Sequence, residues 1–186
     1  TKSILERAAQ EAVSHGNSTI EVEHFLKCSL DEEKSAIVIA LKRLKEDRNI
    51  IARELNSAIE RFPKSASRTP TFSSQLLSGF REAWTIGSVE FEADAINTCT
   101  FLYAALTELG LKAAISNSSP TLCAIDVNIL AQKLKVFLAQ SSEETSLSSR
   151  DELEEVSENS PLLLYTQDLT AKADDKNLDP VIGRDN

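Results

Sequence analysis

Residues 4–30 read ILERAAQEAVSHGNSTIEVEHFLKCSL, and residues 72–106 read FSSQLLSGFREAWTIGSVEFEADAINTCTFLYAAL. Laid side by side, these two stretches decide the fold. Gln10-Glu11-Ala12-Val13 and Gly16 stand against Arg81-Glu82-Ala83-Trp84 and Gly87, an offset of 71. Phe25-Leu26 and Leu30 stand against Phe101-Leu102 and Leu106, an offset of 76. The second copy therefore carries five extra residues, within 89–95. Two anchored blocks in the same order predict a duplicated helical unit. Two such units, related by a rough two-fold, bury a core that neither builds alone.

The apolar spacing fills in the elements. Ile4, Leu5, Ala8, Ala9, Ala12 and Val13 form one stripe on a helix, ended by Gly16 and Asn17. Val22, Phe25, Leu26 and Leu30 mark a second helix, and residues 36–44 a third with Ser35 as N-cap. Ile50, Ile51, Leu55, Ala58, Ile59 and Phe62 mark a fourth, stopped by Pro63; Lys64 to Pro70 is a polar loop. Phe72, Leu76, Leu77, Phe80, Ala83 and Trp84 predict a fifth, capped by Ser73 or Ser74. A sixth runs from Phe101 to Leu109 and breaks at Gly110. Asp126 caps a last long helix, with Ile129, Leu130, Leu134, Phe137 and Leu138 on its inner face. No clean period-2 alternation competes, so the fold class is all-α.

Composition agrees. Aromatic residues are only 5% of the 186, and hydrophobic residues 41%. No apolar run approaches the ~18 residues of a membrane span. The net charge of −9 is uneven: residues 141–160 carry −6, 161–186 carry −2, and the first 140 only −1. A near-neutral body lacks the basic stripe of a nucleic-acid binder. Residues 141–160 hold seven Ser and seven acids, and read as a linker that cannot offset its own ordering entropy. Residues 161–176 regain an apolar pattern and read as a short helix. Without an initiator Met or a terminating signal, the chain reads as a piece of a longer protein.

Little of the sequence carries reactive chemistry. Cys28, Cys99 and Cys123 each sit among apolar residues without CxxC spacing, and read as buried free thiols in a reducing compartment. His15 and His24 lack ligand spacing, so no metal site is expected; His24 reads as packing or capping the start of its helix. No phosphate loop, GxGxxG or GxSxG occurs, and no catalytic residue is assigned. The residues alone describe a small helical interaction module.

Three segments carry a family resemblance: Leu5-Glu6-Arg7-Ala8-Ala9 with Ile20-Glu21-Val22-Glu23-His24-Phe25-Leu26; Arg81 through Phe91 to Ile96; and Leu178-Asp179-Pro180-Val181-Ile182-Gly183-Arg184-Asp185. Together they resemble the double Clp-N domain of the Hsp100 AAA+ chaperones, and the last resembles the entry to that family's first ATPase domain. Tyr165-Thr166 and Asp168-Leu169-Thr170 fit the same entry helix. Glu82-Ala83-Trp84, Ser88-Val89-Glu90-Phe91 and Ser119-Pro120-Thr121-Leu122 with Ile125-Asp126 are most similar to the ClpV subgroup of type VI secretion.

The resemblance implies a Clp-N domain over 1–140, an acidic linker over 141–160 and the start of an ATPase domain over 161–186. It implies a cytoplasmic bacterial unfoldase, hexameric and ATP/Mg-dependent only at full length. Its N domain would bind a short helix of the larger sheath subunit (VipB-like), with no nucleic acid and no membrane involved; the isolated chain should be monomeric. The alternative implied is the N domain of a ClpB-like disaggregase. A groove floored by Ile4, Leu5, Ala8, Ala9 and Ala12 is expected, because alanines leave a depression. Phe72 is either its wall or a hydrophobic staple onto Leu76 and Leu77. Val181 and Ile182 match the family's adenine-contacting segment; the ATP site itself would lie beyond Asn186. ClpV proteins usually carry a short helix before the position of Thr1.

Overall fold

A computed structural model describes residues 1–64, 69–91 and 93–143. They fall within the first of the chain's two units, Thr1–Ser148. The linker reading from 144 onward, the helix over 161–176 and the ATPase entry lie outside the described residues.

The elements are α1 (Lys2–His15), β1 (Thr19–Ile20), α2 (Val22–Leu30), α3 (Ala36–Leu44), α4 (Arg48–Arg61), β2 (Thr71–Phe72), α5 (Ser74–Glu90), α6 (Thr98–Thr107), α7 (Leu109–Ser118), α8 (Pro120–Cys123) and α9 (Val127–Ala139). The fold is all-α apart from one parallel pair, in which Thr19 faces Thr71 and Ile20 faces Phe72. Two residues per strand are too few to leave a period-2 signature. Local signals set the ends. Gly16 closes α1 at φ 70°, where its N–H reaches Ala12 and Val13 carbonyls; a side chain there would be strained. Ser35 and Ser73 accept from Val38 N–H and Leu76 N–H as N-caps of α3 and α5.

The duplication extends into the caps. In α2 the Glu21 N–H donates to His24 Nδ1 at 3.0 Å; in α6 the Asn97 N–H donates to Thr100 Oγ1 at 3.3 Å. Those pairs keep the offset of 76. Asp47 caps α4 by accepting from Asn49 and Ile50 N–H, and Asp126 caps α9 by accepting from Asn128 and Ile129 N–H. The surface repeats too: Val13 and Trp84 are 50% and 48% exposed, and Ile50 and Ile129 are 38% and 39% exposed. Equivalent core residues meet where the two repeats join. Phe25 of α2 and Phe101 of α6 meet at a steep tilt with ring centroids 4.5 Å apart, and Phe80 lies 4.9 Å from each. Such aromatic pairs add roughly 0.5–1.5 kcal/mol each beyond the area they bury. Gly79 allows the approach, since a Cβ there would stand 3.0 Å from the Phe101 ring.

Several expectations need correction. Val13, Leu77, Trp84 and Ile129 are exposed rather than core-facing, because each lies at the edge of its stripe. The break falls at Glu108, not Gly110: the Glu108 carboxylate accepts from Leu111 N–H at 2.6 Å and starts α7, with Gly110 inside it. A side-chain cap outweighs the ~1 kcal/mol helix penalty of one glycine. The extra residues of the second copy are a longer α5, which continues through Gly87 to Glu90, and the loop after it. Cys28 and Cys99 are buried, but Cys123 is half-exposed.

Candidate functional site

The stripe on α1 divides on folding. Ile4, Ala8 and Ala12 are covered by the chain itself and belong to the core. The small size of Ala8 and Ala12 serves the close packing of α1 on α2. Ala8 and Ala12 are wholly covered here, while Ile4, though buried, still lines the wall of a cleft. Leu5 and Ala9 are half-buried and remain reachable at the edge of that core. Phe72 is exposed, in β2 just before the Ser73 cap. β1 touches α1 and pairs with β2, so it joins the two parts of the expected groove. Val181 and Ile182 lie outside the described residues.

Two clefts open among the described residues. One of about 430 Å³ is lined by Thr1, Lys2, Ile4, Ala95, Ile96 and Glu143, among others. Another of about 470 Å³ lies between α4 and the α7–α8 junction, with Ile50, Arg53, Arg61, Asn117 and Ser118 on its walls. Of the predicted trough residues only Ile4 lines either.

Behind the second cleft is a polar network. The Ser118 hydroxyl donates to Glu23, whose burial raises its carboxyl pKa against the opposing pull of that bond. The Glu54 carboxylate accepts from the hydroxyls of Ser119 and Thr121 and so ties α4 to the start of α8. Ser119 at N-cap with Pro120 at N1 is a readable helix start that the sequence reading left unused. His24 is fully buried, and burial drives its pKa down to about 4. Neutral, it accepts from Glu21 N–H on Nδ1 and faces Asn17 Oδ1 from Nε2 at 3.1 Å. Asn17 in turn donates to the Ile59 and Phe62 carbonyls at the end of α4. The expected roles of His24 were packing or capping, and it does both.

Glu143 was missed. Its carboxylate accepts from Ala36 N–H at 2.9 Å, from Thr98 N–H at 2.6 Å and from the Thr98 hydroxyl at 2.6 Å. One side chain from the end of the body thus caps α3 and α6 together. Ser142 N–H also binds the Lys34 carbonyl at 2.9 Å. Ser142 and Glu143 are therefore tied to the helical body. No sequence signal marks one acid among seven as a cap 107 residues away.

Among the described residues no cluster of His, Cys, Asp or Glu could hold a metal ion. No described helix is long and apolar enough to cross a membrane. The described residues define a helical domain with an internal duplication. The chain belongs to the family of the Clp repeat (R) N-terminal domain, whose model matches residues 1–118. It is 30% identical to the chaperone protein ClpB of Wolinella succinogenes, over 97% of this chain and 20% of that protein. It is 22% identical to the AAA+ ATPase ClpV1 of Pseudomonas aeruginosa, over 97% and 22%. The chain spans about a fifth of the length of the curated relatives it matches. Its fold is similar to that of a ClpV N-domain solved with a VipB peptide, at 23% identity and TM-score 0.62, covering 76% of this chain and 86% of that one.

Proposed function

We infer that this chain is the substrate-docking N domain of a type VI secretion AAA+ unfoldase, and that it receives a short amphipathic helix of a sheath subunit. The observation that carries this reading is the likeness of its fold to a ClpV N-domain that binds a VipB peptide. The accessible apolar residues Leu5, Ala9 and Phe72 supply what a helix-in-groove contact needs, an apolar strip with polar neighbours. In the longer protein, the helical body over 1–140 would lead through an acidic linker over 141–160 to an ATPase domain entered at 161–186. That ring, hexameric and fuelled by ATP/Mg in the bacterial cytoplasm, would thread the captured sheath subunit, with Val181 and Ile182 at the adenine.

A second reading is the N domain of a ClpB-like disaggregase, favoured by curated relatives that are named ClpB. The experiment is fluorescence anisotropy of a labelled N-terminal sheath helix, with unfolded casein as competitor. Saturable binding that casein does not displace is the expected result. Casein binding that displaces the sheath helix would favour the disaggregase reading.

A further inference from the structure

The wall of α4 that borders the cleft of about 470 Å³ carries charge that the domain itself does not use. Ile50, Arg53, Ser57 and Arg61 follow one another at helical spacing along that wall. Among the described residues neither Arg53 nor Arg61 has a carboxylate partner. Arg53 bonds only through Nε, to the Asn49 carbonyl of its own helix at 3.3 Å. Arg48, at the start of the same helix, is by contrast paired with Glu33. Helix α4 has two acids, Glu54 and Glu60, and only Glu54 lines the cleft. Both of its oxygens are taken, one by the Ser119 hydroxyl and the Thr121 N–H, the other by the Thr121 hydroxyl. The wall therefore presents two unpaired cations and one carboxylate already held by its own donors.

The duplication does not require those cations. The caps Asp47 and Asp126 set α4 against α9 at an offset of 79, and the core keeps it, with Ile51 matching Leu130 and Leu55 matching Leu134. The same offset maps Arg53, Ser57 and Arg61 onto Gln132, Val136 and Gln140. The cationic face belongs to the first repeat alone. We propose that this cleft docks an acidic, extended segment of a partner protein, with one carboxylate on each arginine and an aliphatic side chain against Ile50. Eight helical residues separate Arg53 from Arg61 by ~12 Å, and an extended chain covers that span in about four residues at ~3.3 Å each. Four is even, so both carboxylates project from the same edge of the segment. Ile50, exposed and one turn before Arg53, sets the aliphatic contact about two residues ahead of the first acid. Asn117 spends a side-chain N–H on the Ala113 carbonyl and keeps its side-chain oxygen for a backbone N–H of the segment. None of Leu5, Ala9 and Phe72 lines this cleft, so the inference is independent of the sheath reading.

The test is the anisotropy of a fluorescein-labelled peptide, Gly-Leu-Ser-Glu-Ser-Ser-Ser-Glu-Gly, titrated with the whole chain at low ionic strength, where exposed ion pairs are least screened. Saturable binding is expected, and Arg53→Ala with Arg61→Ala should weaken it about fivefold or more, since two exposed ion pairs are lost. Lys133→Ala with Lys135→Ala removes the same charge from α9, the counterpart of α4, and should leave the affinity unchanged. No binding to the parent, equal affinity for the arginine variant, or equal losses in both variants would overturn the proposal. So would displacement of the peptide by single-stranded oligothymidylate at the same charge concentration, which reports attraction for any polyanion. Concentration-dependent self-association that the arginine variant abolishes would overturn it too, because the cleft would then belong to a second copy of this chain.

Discussion

His24 is neutral because burial leaves no water to solvate a charge, and its Nδ1 must stay unprotonated to accept the Glu21 N–H. Its folded pKa of about 4 lies below the ordinary 6.5, so the unfolded chain binds the proton first as pH falls. Stability should therefore drop between pH 6.5 and 4, by up to about 3 kcal/mol. Glu23 works in the opposite direction: its raised pKa gives stability that is lost as pH rises above the ordinary carboxylate range. His24→Gln removes only the first effect. Urea midpoints at pH 7 and pH 4.5 should fall clearly in the parent and less in the variant; equal losses would contradict the assignment. The cysteines give a second residue-scale check. Burial pushes the Cys28 thiol up to about 11 and raises Cys99 as well, whereas Cys123 is half-exposed. A native thiol titration should label one cysteine quickly and two slowly. Three fast thiols would show that the α2 and α6 packing is misdescribed.

At the scale of elements, α3 and α6 start against one carboxylate. Glu143→Ala leaves Ala36 N–H, Thr98 N–H and the Thr98 hydroxyl without their acceptor. Charge-assisted bonds of this kind are worth ~1.5–3 kcal/mol, so the variant should lose about 2 kcal/mol in urea unfolding. Glu143→Gln keeps an acceptor and should lose less. An unchanged midpoint for Glu143→Ala would mean that the two helix starts find other partners. The elements also show what the sequence made legible. Helices α1 to α6 and α9 were readable from apolar spacing and from caps such as Ser35 and Asp126. Helix α7 was not, because its start depends on the Glu108 carboxylate while Gly110 reads as a break. β1 and β2 were invisible because a two-residue strand carries no periodicity.

At the scale of the whole molecule, the duplication was legible because it fixes side chains in the core, and Phe25 with Phe101 realises it directly. The site was less legible. Spacing places Ile4, Leu5, Ala8, Ala9 and Ala12 on one stripe, but only packing decides which of them the rest of the chain covers. Ala8 is fully buried, so Ala8→Glu should cost stability rather than weaken docking alone. Phe72 is exposed, so Phe72→Asp should leave the fold intact. The measurement that bears most directly on the account is the affinity of the sheath helix for Phe72→Asp beside the parent. A carboxylate desolvated by the docked helix should cost about 2 kcal/mol, or roughly thirty-fold in affinity, with the thermal midpoint unchanged. Equal affinity for parent and variant would contradict docking at this surface.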